Sequence, residues 1–417
     1  MPASVSKILG VALSAALIAA VPSAAFAGLR STTEAPTEAV AETHDKPKAK
    51  DGGRSKDSGK EPEVASDPNL EVWQAPQAAY EQNRGNPLAG RRWGVYQGEQ
   101  DQVWGPYLAA AGEEKQQIAK IALRPRTKWY GGFVPDSQIE ARVREYIANS
   151  QDGDPQALVQ LAVFRMTPWE GQACSRAASP AEQASYRAWI TNLARGIGST
   201  PTLIVMQPDM PFLWCTPRPE VTAGQLRWAT QTLSSLPNTS VYLDAGAADW
   251  CENNRGADPE RCAGLLMRTG IEFARGFALD STHYTGPSDN IRHGTAIVRI
   301  LEREGYGTKH FIIDTAKSGR PTFWLDMIPA TPKDLRNNAR TCTSAAMDRC
   351  VTLGIPPTIR VADERWGLTV DERELAAKYV DGFVWFGRPW LFNQADPFVK
   401  QRALDMGRST PWPGPVV

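Results

Sequence analysis

Short apolar runs recur along the chain, separated by longer stretches of helical pattern. They sit at Ile118–Leu123, Leu161–Met166, Leu203–Met206, Val241–Leu243, Phe277–Leu279, Phe311–Ile313 and Phe383–Phe386. The clearest lies in TLIVMQPD, Thr202 to Asp209, a short apolar stretch rich in β-branched residues and too short for a helix. Ser-Thr-Pro precedes it and Pro-Asp-Met-Pro follows, so it reads as a strand buried on both faces. Between most of the runs lies an amphipathic pattern: Asp136–Asn149, Ala181–Ile197, Ala223–Leu236, Pro259–Ala274, Asp289–Glu304 and Asp371–Tyr379. The second of these is opened by a Ser179-Pro-Ala-Glu182 capping box. Strand, helix, strand repeated about seven times predicts an α/β fold with a parallel sheet, closed as a barrel or open and doubly wound. No GxGxxG follows the first run and no GxxxxGK[ST] occurs, which weakens nucleotide-binding readings and favours the barrel. The residues from Met327 to Arg360 form the longest predicted loop insertion.

The N-terminal part breaks this rhythm. Lys7, an apolar stretch from Ile8 to Val21, and Ala25-Phe26-Ala27 make residues 1–27 a secretory signal peptide, too short in its apolar part to span a bilayer comfortably. Residues 28–70 carry almost no large apolar side chain and are expected to be a disordered linker. A single folded domain is then expected over 71–417. The predicted location is secreted or in the cell envelope, with membrane attachment only if the signal stays uncleaved.

Charge adds an exclusion. Lys and Arg (46) balance Asp and Glu (46) and are scattered, so no nucleic-acid footprint is present. A monomer is expected. Export makes disulfides permissible, and six cysteines allow three bridges among 15 connectivities. With no CxxC and four histidines, neither a zinc site nor a cofactor is expected.

The chemistry is concentrated just past the strands. Asp209, Asp244, Asp280 and Asp314 follow the third to sixth runs, Glu170 lies after the second and Asp396 after the last. In a barrel these positions converge on one mouth. Any one acid could cap a helix, but four in succession carry an electrostatic cost that favours a functional reading. Oxygen ligands for a divalent cation are one use of such a cluster, though hydrolytic metal sites recruit histidine, and only His283 lies near a strand end. Glycoside hydrolysis is the other, with one carboxylic acid protonating the leaving oxygen and another carboxylate handling water or carbon. Trp129, Trp169, Trp250, Trp324 and Trp390 lie near the same ends, as flat platforms suited to sugar rings. No GxSxG elbow argues for a serine hydrolase.

The motifs KWYGGFVP, SYRAW, LIVMQPD, VYLDAGAADW, ALDSTHY, IIDTAKSG with a following FWLD, and DGFVWFGRP stand in that order from about Lys128 to Asp396. In order and spacing they resemble glycoside hydrolase family 6, the secreted cellulases and cellobiohydrolases. The resemblance implies a distorted (β/α) barrel of about seven parallel strands that hydrolyses β-1,4-glucan with inversion. It implies a Cys174–Cys215 bridge; Cys251–Cys262 and Cys342–Cys350 follow by proximity. It places the general acid on Asp209, a supporting electrostatic acid on Asp244, sugar-stacking rings on Trp129, Trp250 and Trp324, and a sugar-binding position on Asp280.

Several positions depart from the family pattern. Gln207 stands for the usual Glu before Pro-Asp, Phe164 for Tyr, Ala247 for His and Asp280 for Asn. The usual Asp after the second strand has no direct match, with Glu170 as its substitute. Lys317 and Arg388 fall on polar substrate-binding positions, and Asp396, a few residues late, is the expected base. The expected function is cleavage of a β-1,4-glucan, a polysaccharide or oligosaccharide substrate. The alternatives are a carbohydrate-binding or cell-envelope protein with weak or lost catalysis, and a glycosidase for another β-linked polymer.

Overall fold

The computed structural model describes residues 85–415, apart from 167, 169–172, 254–255 and 345. The signal and linker segments, Trp169 and Glu170 lie outside the described residues. Seven strands form one parallel sheet in the order β1 (Lys128–Gly131), β2 (Val159–Phe164), β3 (Thr202–Met206), β4 (Thr239–Asp244), β7 (Gly276–Leu279), β8 (His310–Asp314) and β9 (Val380–Val384). A two-stranded antiparallel hairpin, β5 (Glu252–Asn253) and β6 (Gly256–Ala257), stands apart after β4. The helices are α1 (Trp104–Ala109), α2 (Gly112–Ala122), α3 (Ile139–Gln151), α4 (Pro180–Ile197), α5 (Pro219–Ser234), α6 (Pro259–Thr269), α7 (Pro287–Arg303), α8 (Val370–Tyr379) and α9 (Lys400–Ser409). Six of them match the patterned stretches. The capping box of α4 is present, with Ser179 accepting from the Glu182 N–H and Glu182 reaching back to the Ser179 N–H.

One expected strand is a helix. Ile118–Leu123 closes α2, where Ile118, Ala119, Ile121 and Ala122 are buried and the preceding Glu, Lys and Gln favour helix. That burial spacing is a helical stripe, which a short apolar run cannot disclose by itself. The first strand is instead Lys128–Gly131.

Both faces of the sheet are covered, and the two-residue period sorts the side chains. Trp129, Ala162, Leu203, Val205, Tyr242, Ala278, Ile312 and Val384 share one cluster with Leu88 and Trp93, the interior of the curl. The alternate residues, Val163, Ile204, Met206, Leu243, Phe277, Phe311 and Ile313, pack outward on helix residues such as Trp189, Leu226 and Ile297. Asp244 lies two residues after Tyr242 and Asp314 two after Ile312, so both share the interior face at its carboxyl end.

The curl stops short of a continuous ladder. Thr358 pairs with Phe383 on the edge of β9 that would meet β1, exchanging two backbone bonds of 2.9 Å. What joins β1 to the end of β9 is the Thr127 N–H to Trp385 carbonyl bond at 2.9 Å and the Trp129 indole bond to the Phe386 carbonyl at 2.6 Å. Asn86 donates to the Asp381 carbonyl at 2.8 Å, bringing Leu88 and Trp93, both fully buried, into the floor. Three disulfides, Cys174–Cys215, Cys251–Cys262 and Cys342–Cys350, staple the loops.

Candidate active site

The four strand-end aspartates divide into two kinds. Asp244, Asp280 and Asp314 are fully buried, whereas solvent reaches Asp209. Just past β3 the backbone turns sharply: Gln207 and Asp209 have φ of 55° and 63°, a left-handed conformation that Asp tolerates better than most residues. Asp280 shares this conformation, with φ of 75°. Left-handed non-glycine residues gathered at one mouth suit a functional site.

Asp209 Oδ1 accepts the Thr282 hydroxyl at 2.9 Å, which ties the β3 loop to the β7 loop. Asp244 Oδ1 accepts the Ser281 hydroxyl at 3.1 Å. Burial pushes the Asp244 carboxyl well above the usual carboxylate range, and the charge of Asp209 adds to the shift. The Ser281 hydroxyl and the amides of Met210 and Gly246 pull the other way and lose. Two carboxyls within electrostatic reach, one buried and one accessible, can share a proton as a pair.

Asp280 and Asp314 are engaged differently. Asp280 Oδ1 accepts from the Thr285 hydroxyl (2.5 Å) and N–H (3.1 Å), and burial raises its pKa well above normal against the pull of Lys317. Lys317, fully buried, donates to the Asp280 carbonyl at 2.6 Å, the Ser281 carbonyl at 3.1 Å and the Asp314 carboxylate. Three acceptors match the three ammonium donors. Asp314 also accepts from Ala316 N–H (3.0 Å), Phe386 N–H (3.3 Å) and Gly387 N–H (2.9 Å). Lys317 and Asp314 thereby clamp the ends of β7, β8 and β9 together. A Cβ on Gly387 would collide with both side chains of the pair, so glycine is required there by close approach.

On the other flank, Arg388 lies over the Trp129 ring, 4.2 Å from its centroid. Desolvation brings this guanidinium down to about 10, opposed by the charges of Asp396 and Asp209. Arg388 thus feels both the accessible aspartate of β3 and the exposed aspartate of the last loop. Asp396 itself is exposed. The Arg388 N–H donates to Gln394 Oε1 at 3.2 Å, and Gln394 Nε2 donates to the Thr282 carbonyl at 3.4 Å, fixing this loop to the β7 loop. Trp250 and Trp324 are half-buried at the mouth, and Trp390 is packed in a separate apolar cluster with Trp385.

The motifs ALDSTHY and VYLDAGAADW contain Ser281, Thr282 and Asp249, to which the sequence alone assigns no role. The signal was there in their polar residues directly after a buried strand. Among the described residues the one cluster with metal-ligating atoms is Cys251, Cys262 and His293, whose two sulfurs are joined as a disulfide. No helix among them is long and apolar enough to cross a membrane.

A model of glycosyl hydrolases family 6 matches residues 95–329, more than half of the chain and most of this mouth. The chain belongs to glycosyl hydrolases family 6. Endoglucanase A of Cellulomonas fimi is 29% identical over 229 residues, 54% of this family 6 chain and 47% of that protein. Endoglucanase 1 of Streptomyces halstedii is 30% identical over 206 residues, 48% of this chain and 61% of its own length. The chain thus spans about half the length of the relatives it matches.

Two solved family 6 structures share the fold. The endoglucanase Cel6 from Mycobacterium tuberculosis, in complex with methyl-cellobiosyl-4-deoxy-4-thio-β-D-cellobioside, aligns with a TM-score of 0.60 at 24% identity, covering 78% of this chain and 99% of its own. Cellobiohydrolase II (Cel6A) from Humicola insolens, in complex with glucose and cellotetraose, aligns at 0.58 and 17%, covering 78% and 99%.

Proposed function

We propose that this family 6 chain is an exported glycoside hydrolase that cleaves β-1,4-glucan linkages with inversion. The observation that supports this most is the pairing of Asp209 with Asp244. An accessible carboxyl, oriented by Thr282, sits beside a buried one whose ionisation its own charge opposes. Asp209 is assigned as general acid, protonating the glycosidic oxygen, and Asp244 as the partner whose charge state is coupled to it. Asp396, in the loop fixed by Gln394, is assigned as the base that activates water. Trp129, Trp250 and Trp324 are assigned to sugar stacking and Arg388 to the same subsite as Trp129. Asp280 and Lys317 are assigned a positioning role, because their polar groups hold strand ends. Three disulfides fit an oxidising compartment, in line with export. A monomer is the assembly proposed.

The test is release of reducing sugar from a soluble β-1,4-glucan by the parent and by Asp209→Asn, with the anomer of the first product read by NMR. Retained activity in the variant removes Asp209 as the acid, and a retained β-anomer removes inversion.

Two observations favour a second reading, a glycan-binding protein with lost catalysis. Arg388 covers a face of Trp129 where a sugar would stack, and Asp396 is exposed rather than enclosed. Oligosaccharide affinity without turnover across a broad substrate and pH panel would select it.

A further inference from the structure

Three separate loops meet in one group of side chains, next in the chain to the Thr282 that holds Asp209. Asp249 and Trp250 follow β4, His283 follows β7 and Trp324 follows β8. Asp249 Oδ1 lies 2.6 Å from His283 Nδ1, and its Oδ2 accepts the backbone N–H of Trp324 at 2.6 Å. The imidazole stacks on Trp250, with centroids 4.8 Å apart and planes 10° apart, and on Trp324 at 5.8 Å and 25°. The Asp249 side chain is 5% exposed and that of His283 12%.

A carboxylate against Nδ1 places the proton of the neutral ring there and leaves the lone pair on Nε2. Nε2 has no hydrogen-bond partner among the described residues, and it is not among the atoms shut off from solvent. A histidine serving only to pack would bury or satisfy both nitrogens. This one is held at one nitrogen and open at the other, its ring stacked on two indoles. Its chain neighbour Thr282 holds Asp209. The imidazole covers one face of each indole and Arg336 lies 5.2 Å from the Trp324 ring centroid, so what this group offers a sugar is the Nε2 lone pair, which takes a hydroxyl.

We propose that His283, oriented by Asp249, is a substrate-contacting residue whose Nε2 accepts a hydrogen bond from a glucan hydroxyl. Asp249 is its positioning residue, and it sets Trp324 through the same carboxylate. The proposal rests on the glycan-hydrolase reading and adds a recognition group to it.

The test uses Asp209→Asn protein, in which bound substrate stays intact, and isothermal titration with cellotetraose. His283→Asn keeps a donor at the Nδ1 position for Asp249 and has nothing at the Nε2 position. Its affinity is expected to fall roughly tenfold, the weight of one buried hydrogen bond. His283→Gln, whose carbonyl reaches the Nε2 position, is expected to recover most of that loss. Equal affinity of His283→Asn and its parent overturns the inference and leaves glycan binding standing. A loss that tracks a lowered melting temperature, with Gln no better than Asn, overturns it too. Failure of the parent itself to bind cellotetraose overturns the proposed function, and this inference with it.

Discussion

The Thr282 hydroxyl and the Asp209 carboxylate, 2.9 Å apart, connect the loops after β7 and β3 across the mouth of the curled sheet. The bond matters because Asp209 sits in a left-handed turn, where backbone geometry alone leaves its side chain poorly specified. A hydroxyl can donate to a carboxylate and, after rotating, accept from a carboxylic acid, so Thr282 can follow a proton at Asp209 through a catalytic cycle.

The first prediction concerns that proton. Asp209→Asn keeps the shape and removes the acid, and the rate on soluble β-glucan is expected to fall by roughly 10²–10⁴-fold. Thr282→Val should lower kcat by less and leave the fold intact by circular dichroism. A Thr282→Val enzyme with parental kcat would show that Asp209 is held in place by other contacts.

Asp244 leads to a stability prediction with a definite sign. Its folded pKa is raised by burial and then by Asp209, so folding takes up a proton at any pH between about 4, the ordinary value, and the raised one. The stability this group contributes is complete below that ordinary value and is lost as pH rises through the folded pKa. Asp244→Asn removes the dependence. Its melting temperature relative to the parent should therefore climb between pH 4 and pH 8; a constant difference would mean that Asp244 ionises normally.

Lys317 and Asp314 form an ion pair without solvent exposure, and removing one partner strands the other. Lys317→Met is expected to cost roughly 3–5 kcal/mol in denaturant unfolding. Changing both, Lys317→Met with Asp314→Asn, should cost less than the single change. Additive losses in the double variant would argue against the pairing.

Arg388 decides what Trp129 can do. Arg388→Ala removes the guanidinium assigned to the Trp129 subsite, and cellotetraose is expected to bind several-fold more weakly. Tighter binding on titration would instead show that the guanidinium blocks the indole face, as the second reading requires.

Much of the architecture was legible because strands covered on both faces appear as short apolar runs, and six of the seven lie where those runs fall. The miss at Ile118–Leu123 has a plain cause. Four buried residues at the end of an amphipathic helix look like a strand when the polar turns before them are ignored. The true first strand, Lys128–Gly131, begins with a lysine and hides behind it. At the mouth, strand-end aspartates were visible one by one, but their division into kinds was not. Lys317 spends its donors on two backbone carbonyls, and no residue code records a carbonyl's direction. The Asp249–His283 contact joins residues from different loops, which only the folded chain brings together.

The floor of the sheet carries a consequence for how the protein comes to be made. Asn86 bonds to a carbonyl of β9 that lies 295 residues away, and Leu88 and Trp93 fill a space walled in part by Val384 of that strand. The segment from Asn86 to Trp93 thus completes its burial only when β9, the last strand of the sheet, has followed it. Contacts of such long range make assembly slow. Chains that stop before β9 are left with an open floor and exposed tryptophan, the material that quality control removes.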